Sequence, residues 1–279
     1  PAKIHSMQLW FYPYDFDYKL KQGKVFMYLY SKLEDGTKIC VVHEHFPAFF
    51  ASVKNIDTAK FEERLKSLSI VDQTRIARAS AWEEVEKELL GRKQKFWKIT
   101  ANYPKAVPLL AKELQSWGVD CYEKDIIFTH RYLRDTNIVP MTLIEAEGDF
   151  VEEEGFSIPL FQATSVKQKS LEPLQKWKIL AIDIETYAER RELNPEKNPI
   201  LMISFYGVNE NGEEFKKVIT WKIFNHKLDY LEVVGSEEEL VQRFREVVKI
   251  YQPDILTGYF SDGFDLPYLR TRALKYQIS

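Results

Sequence analysis

The chain has 279 residues, 45% hydrophobic and 14% aromatic, which suffices for a sizeable core and suggests two domains. Its formal net charge of −3 excludes a global basic field, so binding to nucleic acid would need a local patch. Two cysteines, Cys40 and Cys121, exclude a disulfide framework or a cysteine zinc site, and the absence of a ~20-residue apolar run or a signal-peptide pattern points to a soluble, cytoplasmic protein with no membrane contact.

In chain order, residues 24–30 and 39–43 have strand composition and are joined by the turn residues Glu34-Asp35-Gly36-Thr37. Residues 46–53 form a further apolar strand, with Pro47 near its start. Asp57 or Thr58 caps a helix to Leu68, and Ser80 with Glu83 predicts a second helix over 80–90, stopped by Gly91. A strand at 96–101, a helix at 104–117, a strand at 119–122 and a short helical connector over 125–135 follow. Together they predict an α+β domain with ferredoxin-like elements over residues 1–140. The acidic stretch around Glu145, Glu147, Asp149 and Glu152–Glu154 marks 141–176 as a linker or surface hairpin.

Residues 177–279 read as a second, α/β domain. Three apolar strands at 179–184, 200–207 and 218–221 precede a helix capped by Ser236 and ended by Pro253, a strand at 254–259 and a helix at 266–276. The first of these strands ends in Asp183-Ile184-Glu185-Thr186. Alternate strand residues share a face, so Asp183 and Glu185 project together and suit a hard cation such as Mg²⁺ or Mn²⁺. Asp265 follows the fourth strand at a junction where Gly263 permits an unusual backbone and Phe264 can anchor the turn. Should that strand lie beside the first, the three acids would meet across one cleft.

These residues resemble the exonuclease domain of family B DNA polymerases, the archaeal replicative ones most closely. Asp183-Ile184-Glu185-Thr186 is similar to the first exonuclease motif, and Phe264-Asp265 with Pro267-Tyr268-Leu269 and Arg272-Ala273 to the second. The stretches 200–204, 218–221 and 252–255 match the intervening strands. Before them, Asp15-Phe16-Asp17-Tyr18, Phe46-Pro47, Gly91, Trp97-Lys98, Asp125-Ile126 and Arg131-Tyr132-Leu133 resemble the N-terminal domain of archaeal members. The resemblance implies a ribonuclease-H-like exonuclease domain over 177–279, incomplete at its C-terminal end, behind a DNA- and template-binding domain. It implies metal-dependent 3′–5′ proofreading, with Asp183, Glu185 and Asp265 as catalytic ligands of two Mg²⁺ or Mn²⁺ ions and with Phe260 and Phe264 near the DNA. Partners would be the primer 3′ end, the single-stranded template, the polymerase domains in cis or on a second chain, and a sliding clamp.

Three departures qualify this. Phe260 stands where the family usually has Asn and cannot hydrogen-bond, which predicts reduced or altered proofreading. The third exonuclease motif and the polymerase domains lie beyond Ser279, so the chain is expected to bind metal weakly and hydrolyse little, as a fragment, a split subunit or a truncated paralogue. The alternative is a non-catalytic DNA-binding module of a split or degenerate polymerase. The archaeal uracil pocket would be lined by Tyr18, Pro47, Ala48, Phe96, Ile126, Ile127 and Phe128, where Phe96 replaces a smaller β-branched residue and is expected to fill the floor. Separately, Arg92-Lys93-Gln94-Lys95-Phe96-Trp97-Lys98 interleaves basic and aromatic residues, which makes Lys93 and Lys95 candidate DNA contacts, against a plain solvated strand approach.

Overall fold

The computed structural model describes residues 7–52, 57–73, 75–188, 192–223 and 228–278. The chain divides into two compact units, Pro1–Leu174 and Gln175–Ser279. No helix among the described residues is long and apolar enough to cross a membrane.

Unit 1 opens with β1 (Met7–Lys21), β2 (Lys24–Lys32), β3 (Lys38–Glu44) and β4 (Ala48–Ser52). Val53, the expected last residue of that fourth strand, lies outside the described residues. The helix α1 (Thr58–Ser67) begins where Asp57 accepts a hydrogen bond from the Lys60 amide (3.2 Å). Then come β5 (Ile70–Asp72), β6 (Arg75–Ala77), β7 (Ala79–Leu89), β8 (Arg92–Ala101), α2 (Ala106–Ser116), β9 (Cys121–Tyr122), α3 (Phe128–Thr136), β10 (Thr142–Val151) and β11 (Leu160–Pro173).

A four-stranded sheet, in the order β7-β8-β4-β9, packs its apolar face on α1 and α2 through Phe49, Trp97, Leu65 and Leu110. This is the expected ferredoxin-like arrangement, but residues 80–90 form β7 and not a helix. The Ser80 hydroxyl donates to the Thr100 carbonyl (3.2 Å) instead of capping. Leu90 and Gly91 both take positive φ (51° and 75°), the geometry of a tight two-residue hairpin. Lysines of β8 then meet glutamates of β7: Glu83–Lys98 at 3.0 Å, Glu84–Lys95 at 2.5 Å and Glu86–Lys93 at 3.6 Å. Cross-strand pairing thus overrides a helix-start pattern that is only local.

Residues 142–173 are built into the unit rather than tethering it. β10 and β11 close a barrel with the first three strands, in the order β1-β10-β11-β3-β2. Ile144, Ala146 and Gly148 face inward, while Glu145, Glu147 and Asp149 alternate with them outward. The acidic stretch therefore has period two, the signature of a strand with one solvated face. At Gly148 a Cβ would lie 2.0 Å from the Gln162 carbonyl oxygen, so the β10–β11 approach requires glycine. Phe128 and Tyr132 of α3 pack on the barrel core with Phe11, Leu29 and Phe161.

Unit 2 comprises β12 (Ile179–Thr186), β13 (Ile200–Val208), β14 (Glu214–Thr220), β15 (Leu231–Val233), α4 (Glu237–Tyr251), β16 (Ile255–Thr257) and α5 (Asp265–Lys275). The sheet order is β15-β14-β13-β12-β16, with β12, β13 and β14 antiparallel and β16 parallel to β12. Leu180, Ile182 and Ile184 turn into a core shared with Leu240, Val241, Tyr268 and Leu269, which leaves the intervening residues of β12 on the other face. The architecture is α/β, with a ribonuclease-H-like second unit.

Candidate active site

β16 pairs with β12 only from Ile179 to Ala181. Past that point Gly258 turns the chain away, so close to β12 that a Cβ would lie 2.5 Å from the Ile182 carbonyl oxygen. Among the described residues the rest of that edge of β12 has no strand partner, and its amides need other acceptors. Asp265, the first residue of α5 and 2% exposed, supplies one: its Oδ1 accepts the Ile184 N–H at 3.1 Å. An acid predicted from a separate motif is thereby fixed at the amide between Asp183 and Glu185. Those two side chains are exposed on one face of β12, as the spacing predicts.

The donor chemistry fits a hard divalent ion. Asp183 and Glu185 present carboxylates to solvent, while Asp265 is buried with one oxygen accepting the Ile184 amide. Among the described residues no group of three His, Cys, Asp or Glu side chains is assembled to hold a metal. Asp265 meets the backbone of β12 rather than the Asp183 and Glu185 carboxylates.

A buried network sets the position of α5. Arg272, 1% exposed, donates to Glu237 Oε1 (2.7 Å) and Oε2 (2.5 Å), and to the carbonyls of Pro195 (2.9 Å) and Glu196 (3.1 Å). Glu237 also accepts from the Ile200 amide (2.8 Å) and the Tyr276 hydroxyl (2.7 Å). α4, α5, the start of β13 and the segment after β12 are joined at one point. Burial pushes the Glu237 carboxyl up, but these hydrogen bonds and the Arg272 charge outweigh it and hold its pKa below the usual carboxylate range. The sequence reading missed Glu237, which looks like an ordinary first-turn acid beside Ser236.

Phe260 and Phe264 part company. Phe264 packs on Tyr268 in the core (ring centroids 5.5 Å apart) and supports the junction from within. Phe260 is 71% exposed, with its ring over Gly263, where a Cβ would lie 2.2 Å from the ring. Its φ of 54° is left-handed, a conformation that Asn adopts readily and Phe rarely. Tyr259 beside it is 95% exposed.

In unit 1 a cavity of about 420 Å³ opens between the barrel and the ferredoxin-like sheet. Tyr18, Pro47, Ala48, Ile126, Ile127 and Phe128 all line it, as expected. Phe96 does not. Its register partner is Ser52, at the far end of β4 from Ala48, and its ring packs edge-on against Tyr122 at 5.5 Å. The lining instead includes Val107, a small β-branched residue from the first turn of α2, with Pro104, Pro108 and Arg131. In the sequence, Pro104-Lys105-Ala106-Val107-Pro108 signals only a helix start, and its part in the cavity wall comes from packing. Lys93 and Lys95 face Glu86 and Glu84 across the hairpin.

The profile of the exonuclease domain of DNA polymerase family B matches residues 119–279. The chain is 34% identical over 267 residues to a DNA polymerase of Pyrococcus glycovorans, covering 95% of this chain and 29% of that relative. It is also 34% identical over 268 residues to a DNA polymerase of Thermococcus kodakarensis, covering 95% of this chain and 14% of the relative. The solved family B DNA polymerase of the hyperthermophilic archaeon Pyrobaculum calidifontis superposes with a TM-score of 0.73 at 25% identity, over 97% of this chain and 33% of that one. The chain thus spans less than a third of the length of the Pyrococcus relative. An acid-bearing strand, a third acid seated on its backbone and a match extending over both units converge on one conclusion: the chain belongs to DNA polymerase family B and corresponds to the N-terminal and exonuclease portion of its members.

Proposed function

We propose that this chain serves a family B DNA-directed DNA polymerase, with unit 2 removing mispaired nucleotides from a DNA 3′ end and unit 1 holding single-stranded template. The observation that carries the proposal is the seat of Asp265 on the Ile184 amide, which brings the third acid to the stretch of β12 that bears Asp183 and Glu185. Asp183, Glu185 and Asp265 are the residues that would hold Mg²⁺ or Mn²⁺. When bound, such ions activate water and offset charge on the leaving oxygen. Glu185 orients the attacking water by accepting its hydrogen bond. Phe260 offers a ring face to the terminal base but no hydrogen bond, which weakens the hold on the 3′ nucleotide relative to an Asn. The remaining polymerase domains, and a sliding clamp acting through them, are partners of the whole enzyme.

Manganese binding, followed by electron paramagnetic resonance on the chain, tests this. Weak binding is expected, and a further loss of about tenfold or more in Asp183→Ala and in Asp265→Asn. Equal affinity in all three proteins refutes the metal assignment.

A second reading concerns the unit 1 cavity, which supports capture of a template uracil. Val107 leaves open the space that a bulky floor residue would fill, and about 420 Å³ accommodates a pyrimidine.

A further inference from the structure

The barrel of unit 1 has a second surface that neither reading uses. Counted along the chain, its strands β1, β2, β3, β10 and β11 run round it in the order 1-2-3-5-4 and back to 1. The third and fifth, β3 and β11, are parallel. This is the topology of an OB-fold, in which the face of strands 2 and 3, flanked by the 1–2 and 4–5 loops, receives oligonucleotides or oligosaccharides. At that location lies a cavity of about 530 Å³, with Phe26, Tyr28 and Val42 on its floor, Gln162 beside them, and Lys21 at the end of β1, Gln22 of the 1–2 loop and Glu153 of the 4–5 loop on its walls.

The 4–5 loop, residues 152–159, covers part of this face. Phe156 stacks on Tyr28 with ring centroids 5.6 Å apart and planes 14° from parallel. Lys19 Nζ sits 4.7 Å from the Tyr28 ring and 4.4 Å from that of Phe156. Glu153 pairs with Lys21 and accepts the Tyr28 hydroxyl at 3.3 Å. A flat ring on an aromatic platform and an anion on a lysine are the two contacts a nucleotide makes with a single-strand-binding groove. We propose that this face is a binding site for single-stranded DNA, and that Phe156 and Glu153 occupy it in place of a base and a phosphate.

DNA as the ligand rests on the family reading above. The site itself rests on the barrel and is independent of the acids of unit 2. An incoming strand exchanges its base for Phe156 on Tyr28 and its phosphate for Glu153 at Lys21. The run Glu152-Glu153-Glu154 repels a phosphate while the loop is closed. The closed loop therefore lowers apparent affinity by the fraction of time it occupies the face.

The test is fluorescence anisotropy on the full chain with a labelled oligothymidylate of about 12 nucleotides, within the site size of one such barrel. Thymine leaves the uracil reading unprobed. Phe156→Ala/Glu153→Gln, both in a surface loop, is expected to bind about tenfold tighter, the fold-change of one freed stacking contact. Adding Lys19→Ala/Lys21→Ala should reverse the gain and flatten the log affinity against log salt slope by about 1.4, roughly 0.7 per lysine. Circular dichroism confirms the fold of each variant. An unchanged affinity in the loop variant, an unchanged salt slope in the lysine variant, or binding of oligouridylate RNA alone overturns the proposal. The same measurements are made with EDTA present, which strips any divalent ion from unit 2, so a failed metal assignment there is told apart from failure here.

Discussion

Replacing Arg272 with Met tests whether the buried network sets the stability of unit 2. Arg272 is 1% exposed and spends its guanidinium on Glu237 and two loop carbonyls. Methionine keeps most of the length but leaves Glu237 in the interior with only the Ile200 amide and the Tyr276 hydroxyl. Removing one partner of a buried pair costs about 3–5 kcal/mol because an uncompensated charge stays behind. For a unit of this size that lowers the melting temperature by at least about 12 °C. Calorimetry reads the loss directly. Arg272→Met/Glu237→Gln removes the stranded charge while keeping an acceptor, and should recover about 1–3 kcal/mol of it. The pH dependence follows from Glu237, whose folded pKa is held below the ordinary 4.5. A depressed carboxylate stabilises the fold above its unfolded pKa, and that contribution fades as pH falls through the folded value. The gap between the native chain and Arg272→Met should therefore narrow in acid. A loss under about 1 kcal/mol, or a double variant no more stable than the single one, would refute the reasoning.

Two further outcomes are expected. Burial, then the neighbouring His45, pushes the His43 pKa down to about 4, so the unfolded chain takes up a proton at His43 below about pH 6.5 that the folded chain refuses. Unit 1 should lose up to about 3 kcal/mol between pH 6.5 and 4, and His43→Gln, which can still reach the Tyr132 hydroxyl, should flatten that slope in acid melts; an unaltered slope would place the titration elsewhere. Val107→Phe directs added bulk into the 420 Å³ cavity, so any preference for uracil over thymine single strands should fall at least about tenfold with little change in melting temperature. A preference that survives would move uracil recognition away from this cavity.

Most elements of unit 2 were legible in the sequence because each depends on a local signal. Alternation over Ile179–Thr186 put Asp183 and Glu185 on one face, and Ser236 capped its helix by accepting the Glu239 amide at 3.2 Å. In unit 1 the same local logic failed at residues 80–90, where a capping pattern lost to cross-strand pairs with residues 92–101, while at 141–176, read as a linker or surface hairpin, the charge of the outward face hid the period of two of a barrel strand.

The sequence determined the family, the alternation that turns two acids outward, and the elements that carry the third. Only the tertiary structure decided which groups those elements bring within hydrogen-bonding reach. Asp265 lies 81 residues from Ile184 and settles on its amide because β16 parts from β12 and leaves that N–H without a strand partner. Val107, not Phe96, lines the unit 1 cavity because strand register and a helix entry angle are set by packing across the whole unit. Likewise, the stack of Phe156 on Tyr28 joins residues far apart in the chain, which the parallel pairing of β11 with β3, itself paired to β2, brings together.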